Sequence, residues 1–164
     1  MSKISLDAPL QFAAPAAHRA LREALGASTE GSQTGAVALS AAIRIPGAGE
    51  AATVSVPVVI DSNAATAQSG APIELSIHAR TAPAAFPTFT GDIAVDAVDR
   101  ATSRVRMRGE YTVPFGSLGG LANAVLLGPL AEDGLRQFFI ELVAQAEAVM
   151  RKESETLYRE MRER

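Results

Sequence analysis

FTGDIAVDAVDRATSRVRMRGEYTV, residues 89–113, decides the fold of this chain. Ile93, Val95 and Ala97 alternate with polar residues, and so do Val105, Met107, Gly109, Tyr111 and Val113. Period two is the mark of a strand with one buried face. Cross-strand partners must share a face, and the inward residues of both runs are odd-numbered. The paired numbers therefore sum to an even value, and the hairpin closes through a three-residue loop near Arg100. Asp96 then lies opposite Arg104 or Arg106, and the Arg104, Arg106, Arg108 stripe is a solvated face with acidic cross-strand neighbours.

Upstream, the same alternation recurs. Ile4, Leu6, Ala8, Leu10 and Phe12 form a first strand; Val37, Leu39, Ala41, Ile43 and Ile45 a second; Val54, Val56, Val58 and Ile60 a third; Ile73, Leu75, Ile77 and Ala79 a fourth. Pro57 cannot donate a ladder hydrogen bond, which places the third strand at an edge or bulge. Between the first two strands, Pro15 suits a first helical turn, Ala17, Leu21, Ala24 and Leu25 give an apolar stripe, and Gly26 is a natural stop. Ala27 to Gly35 reads as a loop, and Pro46-Gly47-Ala48-Gly49 as a turn.

Downstream the period changes. Ser117 is placed to cap a short helix carrying Leu118, Leu121 and Val125, and Gly128-Pro129 reads as a restart with Glu132 and Asp133 in the new first turn. Leu135, Phe138, Phe139, Leu142, Val143, Ala146, Val149 and Met150 follow helical spacing closely. The tail RKESETLYREMRER, residues 151–164, is nearly all charge. Glu147–Arg151, Glu155–Arg159 and Glu160–Arg164 are favourable i, i+4 pairs that extend the helix to the end. From Pro129 it would run roughly 50 Å, so the tail projects from the body. One domain over residues 1–150 and a charged helical extension over 151–164 is the expected organisation. Leu157 and Met161 continue the apolar strip from Met150, a candidate homo-oligomer contact through the C-terminal helix.

Composition limits the function classes. The chain has 164 residues, 48% hydrophobic and 20% charged, which fits a single globular domain. Alanine is about one residue in five and Arg far outnumbers Lys, so many inward positions are small. A net charge of −3 offers no general attraction for nucleic acid or an anionic membrane surface. The absence of cysteine removes disulfides, thiolate catalysis and Cys-ligated metal sites. The N-terminal residues alternate like structure and not like a signal peptide, and no apolar run reaches the roughly 18 residues of a bilayer span, so a cytoplasmic chain without membrane insertion is the expectation.

In order of elements the chain resembles the START-like (SRPBCC) helix-grip superfamily, which includes Bet v 1-like and polyketide cyclase/dehydratase-like proteins. The likeness in sequence covers residues 86–145, above all TFTGDIAVDAV (88–98) and SRVRMRGEYTVPFGSLGGL (103–121) leading into the helix from Pro129. Members often end their last hairpin in Gly-x-Tyr followed by a Pro-Gly segment; here these are Gly109-Glu110-Tyr111 and Pro114-Phe115-Gly116. The short, alanine-rich first helix departs from the pattern. The resemblance implies an α+β fold in which a curved antiparallel sheet of six to seven strands wraps around a long C-terminal helix. It also implies an apolar cavity that holds a lipid, sterol or polyketide-like molecule.

By inward phase, Leu39, Ile43, Val56, Leu75, Phe89, Val95, Met107, Tyr111, Phe138, Phe139 and Leu142 are the candidate ligand-binding residues. Any one of them serves equally as ordinary core. Tyr111 is the inward polar candidate, since a buried phenol needs a partner. His78 and Arg80 flank Ala79 on the outer face with Glu74, a surface arrangement. The other histidine, His18, is far away in sequence, so no metal site is expected. No G-x-S-x-G, P-loop or Rossmann pattern occurs, so no catalytic set and no cofactor is expected. Three readings follow: a non-catalytic carrier or sensor of a small hydrophobic molecule, which is preferred; a cyclase/dehydratase-like enzyme using the same cavity; and an interaction module assembling through the C-terminal helix.

Overall fold

The computed structural model describes residues 1–30, 38–44, 51–81, 83–113 and 120–163, with the side chains of 27–30, 38–44, 51, 52, 54, 83 and 120–126 left aside. The elements are β1 (Ser2–Leu10), α1 (Ala14–Glu30), β2 (Ala38–Arg44), β3 (Ala51–Ser62), β4 (Ile73–Ala79), a single 3-10 turn (Pro83–Ala85), β5 (Thr88–Ala97), β6 (Ser103–Thr112) and α2 (Gly120–Arg162).

Every strand pairing is antiparallel, and the order is β1-β6-β5-β4-β3-β2. The expected count of six to seven strands needs a correction. Five strands, β1-β6-β5-β4-β3, form the continuous ladder, and β2 joins as an arm. β3 pairs with β2 over Ala51–Pro57 and with β4 over Val58–Ser62, so its two ladders share no residue. The change of partner falls at Pro57, which has no N–H to give to a ladder; its carbonyl accepts from Arg80 N–H at 2.9 Å.

The β5–β6 hairpin has the even pairing sum read from the sequence. Asp96 is opposite Arg104 and Ala97 opposite Ser103. Val98 N–H donates to Thr102 O at 3.1 Å, which leaves Asp99–Ala101 as the loop. The arginine stripe is solvated and acid-lined: Arg106 meets Asp96 at 2.7 Å and Arg104 meets Asp7 at 3.8 Å. Such exposed pairs contribute little stability.

Two helix boundaries differ from expectation. α1 continues past Gly26 to Glu30, and α2 runs unbroken through Gly128-Pro129. Pro129 forfeits one intrahelical bond, yet Leu130, Ala131 and Leu135 directly after it are buried. Burying that stripe outweighs the local penalty. Ser117 and the Pro46–Gly49 turn lie outside the described residues. α2 is 43 residues, about 65 Å, and packs on α1 and β2. Beyond Met150 its side chains are largely exposed, although Glu153 still pairs with Arg19 of α1 at 2.6 Å.

Candidate ligand-binding site

Leu75, Phe89, Met107, Tyr111, Phe138, Phe139 and Leu142 belong to one continuous core with Ile4, Leu6, Leu10, the α1 stripe and Met150. Val95 is half-buried against it. Leu39 and Ile43 lie on β2, whose side chains are outside the description. Gly109 lies on the inward face, and Phe89 occupies the space beside it. Gly91 and Gly109 are direct partners across β5 and β6, and the Phe89 ring folds over both. A Cβ on Gly109 would stand 2.5 Å from Phe89 Cε2 and 2.6 Å from Cζ, and would strike the carbonyl oxygen of Thr90. Glycine is required at this close approach.

Among the candidates whose side chains are described, Val56 stands apart from the main core; Leu39 is its partner across β2 and β3. Val56 packs with Ala79 and Leu130 in a second apolar cluster, flanked by the half-buried Phe86 and Leu127. Val56, Val58, Ala79, Phe86, Pro87, Leu130 and Ala131 enclose a gap of about 10 Å³, no larger than one water. The surroundings explain why the core stops here. β3 leaves β4 above Val58, Pro87 opens the start of β5, and α2 reaches this end with Leu127, Leu130 and Ala131. Among the described residues, no polar side chain lines the gap.

Sequence reading named Val56 but missed Ala79, Phe86 and Leu130 as its companions. The signal was present. Leu127, Leu130/Ala131 and Leu135 continue the stripe of Phe138 and Leu142 backwards at helical spacing, and treating Gly128-Pro129 as a break cut it short.

Polar groups gather elsewhere. His18 and Ser103 are the buried polar side chains among the described residues. His18 Nε2–H donates to the Ala71 carbonyl at 2.8 Å, which fixes the proton on Nε2 because a carbonyl can only accept. One turn on, the Arg22 guanidinium donates to Ala64 O at 2.7 Å and Ala65 O at 3.1 Å. Together they fasten α1 to the β3–β4 connection, a clamp that the sequence pattern did not reveal. Ser103 Oγ is buried with no partner among the described residues. Tyr111 is buried at the other end of β6, eight residues and about 26 Å away. His78 sits half-exposed on the outer face, 3.7 Å from Asp61. No group of three or more metal-ligating side chains occurs among the described residues, and none of their helices is long and apolar enough to cross a membrane.

No protein-family model matches the chain. No curated protein matches it. Similar structures are found. TTHA0849 from Thermus thermophilus superposes with a TM-score of 0.50 at 11% identity, over 90% of this chain and 99% of that one. The Zhui aromatase/cyclase from Streptomyces sp. R1128 gives 0.42 at 13% identity over 94% of each chain. The di-domain aromatase/cyclase BexL of the BE-7585A biosynthetic pathway gives 0.48 at 14% identity, over 90% of this chain, which spans 46% of that larger one. The antiparallel sheet, the strand order and the long closing helix make this a helix-grip fold.

Proposed function

We propose that the chain binds a small apolar molecule, without catalysis, between the sheet and the N-terminal part of α2. The observation that carries this reading is the separate cluster of Val56, Ala79 and Leu130 around an unfilled gap lined by apolar side chains. A lining of apolar side chains selects for hydrocarbon or aromatic surface and against hydroxylated or charged ligands. A ligand enters as Leu130 and Phe86 part, which breaks few contacts because this cluster is shallow beside the main core. The helix-grip resemblance implies the same ligand class. A cyclase-type reaction needs a second polar group beside Tyr111, and the buried polar side chains described here, His18 and Ser103, stand at the opposite end.

Native mass spectrometry of the purified protein, followed by organic extraction, tests the class of ligand. Two substitutions test the place. Leu130→Ala enlarges the gap and should tighten binding of a benzene-sized apolar probe, while lowering stability by roughly 2–5 kcal/mol. Ala79→Val shrinks the gap and should weaken the same probe. If both variants bind the probe as the parent does, in isothermal titration with folding checked by circular dichroism, the ligand is not held at this gap.

A further inference from the structure

We infer that β1 is a self-association edge, and that its occupant is β1 of a second copy of this chain in antiparallel register about Ser5. The inference goes beyond ligand binding and does not depend on it. β1 ends the sheet, and among the described residues nothing pairs with its outer side. The direction in which its backbone groups point follows from the glycine pair. A Cβ on Gly91 would strike the carbonyl oxygen of Arg108, and one on Gly109 that of Thr90. The even residues of β6 therefore turn their backbone groups towards β5, and the odd ones towards β1. Through the observed register, Ser2, Ile4, Leu6, Ala8 and Leu10 bond to β6. Lys3, Ser5 and Asp7 hold their N–H and C=O groups out to the open edge. Pro9 obeys the same rule, because its missing N–H faces outward.

An open edge of this length is ordinarily guarded by charge. Here the charges are self-complementary. With Ser5 opposite Ser5 of the second copy, Lys3 meets Asp7 of that copy and Asp7 meets its Lys3. Both side chains are available, being 86% and 60% exposed, and their own ion pairs are long at 4.0 and 3.8 Å. The alternation extends past the seam. Lys3 has Glu110 as its neighbour on β6, and Asp7 has Arg106, so each outer row reads Glu110, Lys3, then Asp7 and Arg106 of the second copy. Moving the register by two residues in either direction breaks that match. On the inner face, Ile4 would meet Leu6 of the second copy and extend the apolar surface across the join.

Sedimentation velocity over a range of concentrations reads the result. The parent should approach twice the monomer mass. Ser5→Pro removes an outward N–H and no β1–β6 bond, so it should be monomeric throughout with its thermal midpoint retained. Lys3→Glu should weaken association roughly tenfold by setting two acidic pairs face to face, and adding Asp7→Lys should restore it. Restoration by the charge swap carries the proposal even if Ser5→Pro fails to fold. A parent that stays monomeric overturns the inference. So does a dimer that survives Ser5→Pro, including one that Leu157→Glu dissociates through the C-terminal helix.

Discussion

Gly109 shows how much one residue position can hide. Its phase marked it as small and inward, but nothing local says which neighbour takes the space; that depends on the rotamer of Phe89 two positions along the facing strand. Gly109→Ala should destabilise the domain by about 1–3 kcal/mol, as a methyl group forced into a packed site does. Pairing it with Phe89→Leu should recover the part due to the ring and leave the part due to the Thr90 carbonyl, which urea unfolding of the single and double variants would separate. Asp99 acts at the same scale. Its Oδ1 accepts from Ala101 N–H at 2.7 Å and Thr102 N–H at 2.8 Å. The Ala101 bond first, then those from the Thr102 side chain and backbone, hold its carboxyl below the ordinary 3.8. The folded form thus prefers the ionised state. The stabilisation is complete above that ordinary value and is lost as pH falls through the lowered one. Asp99→Ala should therefore be less stable than the parent at neutral pH, and the difference in urea midpoint should shrink under acid conditions. A difference independent of pH would assign the effect to loop shape alone.

At the scale of elements, alternation and parity are strong signals because they are set by backbone geometry. The parity of the β5–β6 pairing was legible from residue numbers alone, and the structure chose Arg104 over Arg106 as the partner of Asp96. Helix ends were less so. Gly26 and Gly128-Pro129 carry the chemistry of stops, and α1 and α2 pass through both. Local propensity is worth a few kcal/mol at most, and the burial of Leu130, Ala131 and Leu135 competes directly with it. The fastening of α1 was illegible for a different reason. Its partners are the backbone carbonyls of Ala64, Ala65 and Ala71, and no side-chain pattern announces a carbonyl. The apolar stripe of α1 is three alanines and two leucines, so these polar ties matter more than they would beneath a bulkier face. Arg22→Ala should cost roughly 1.5–3 kcal/mol, in the range for hydrogen bonds to a charged donor. Arg22→Lys should recover little, since an ammonium cannot reproduce the fork that spans two successive carbonyls. Thermal unfolding of both variants beside the parent gives the comparison.

For the molecule as a whole, the order of elements carried the fold class, because a sheet of this connectivity closed by one long amphipathic helix has few other ways to bury both apolar faces. The same reasoning could not delimit a cavity. Residues chosen by inward phase could not be divided into those that touch one another and those that face unfilled space, and nothing in the pattern set Val56 apart from those that share the main core. That division arises where the strands diverge, a property of the assembled sheet.

The change of partner along β3 has a mechanical consequence. Its two ladders meet end to end and overlap nowhere, so the β2 arm is joined to the five-strand sheet by the covalent backbone at Pro57–Val58 and by the Arg80–Pro57 bond. The proline ring locks φ at that joint, which confines any bend to the torsions on its C-terminal side. Swinging the arm there would lift β2 from α2 and leave every rung of the larger ladder intact. The shallow apolar cluster of Val56 and Ala79 lies at the foot of that hinge, so such a swing would uncover that corner without unfolding the best-paired strands.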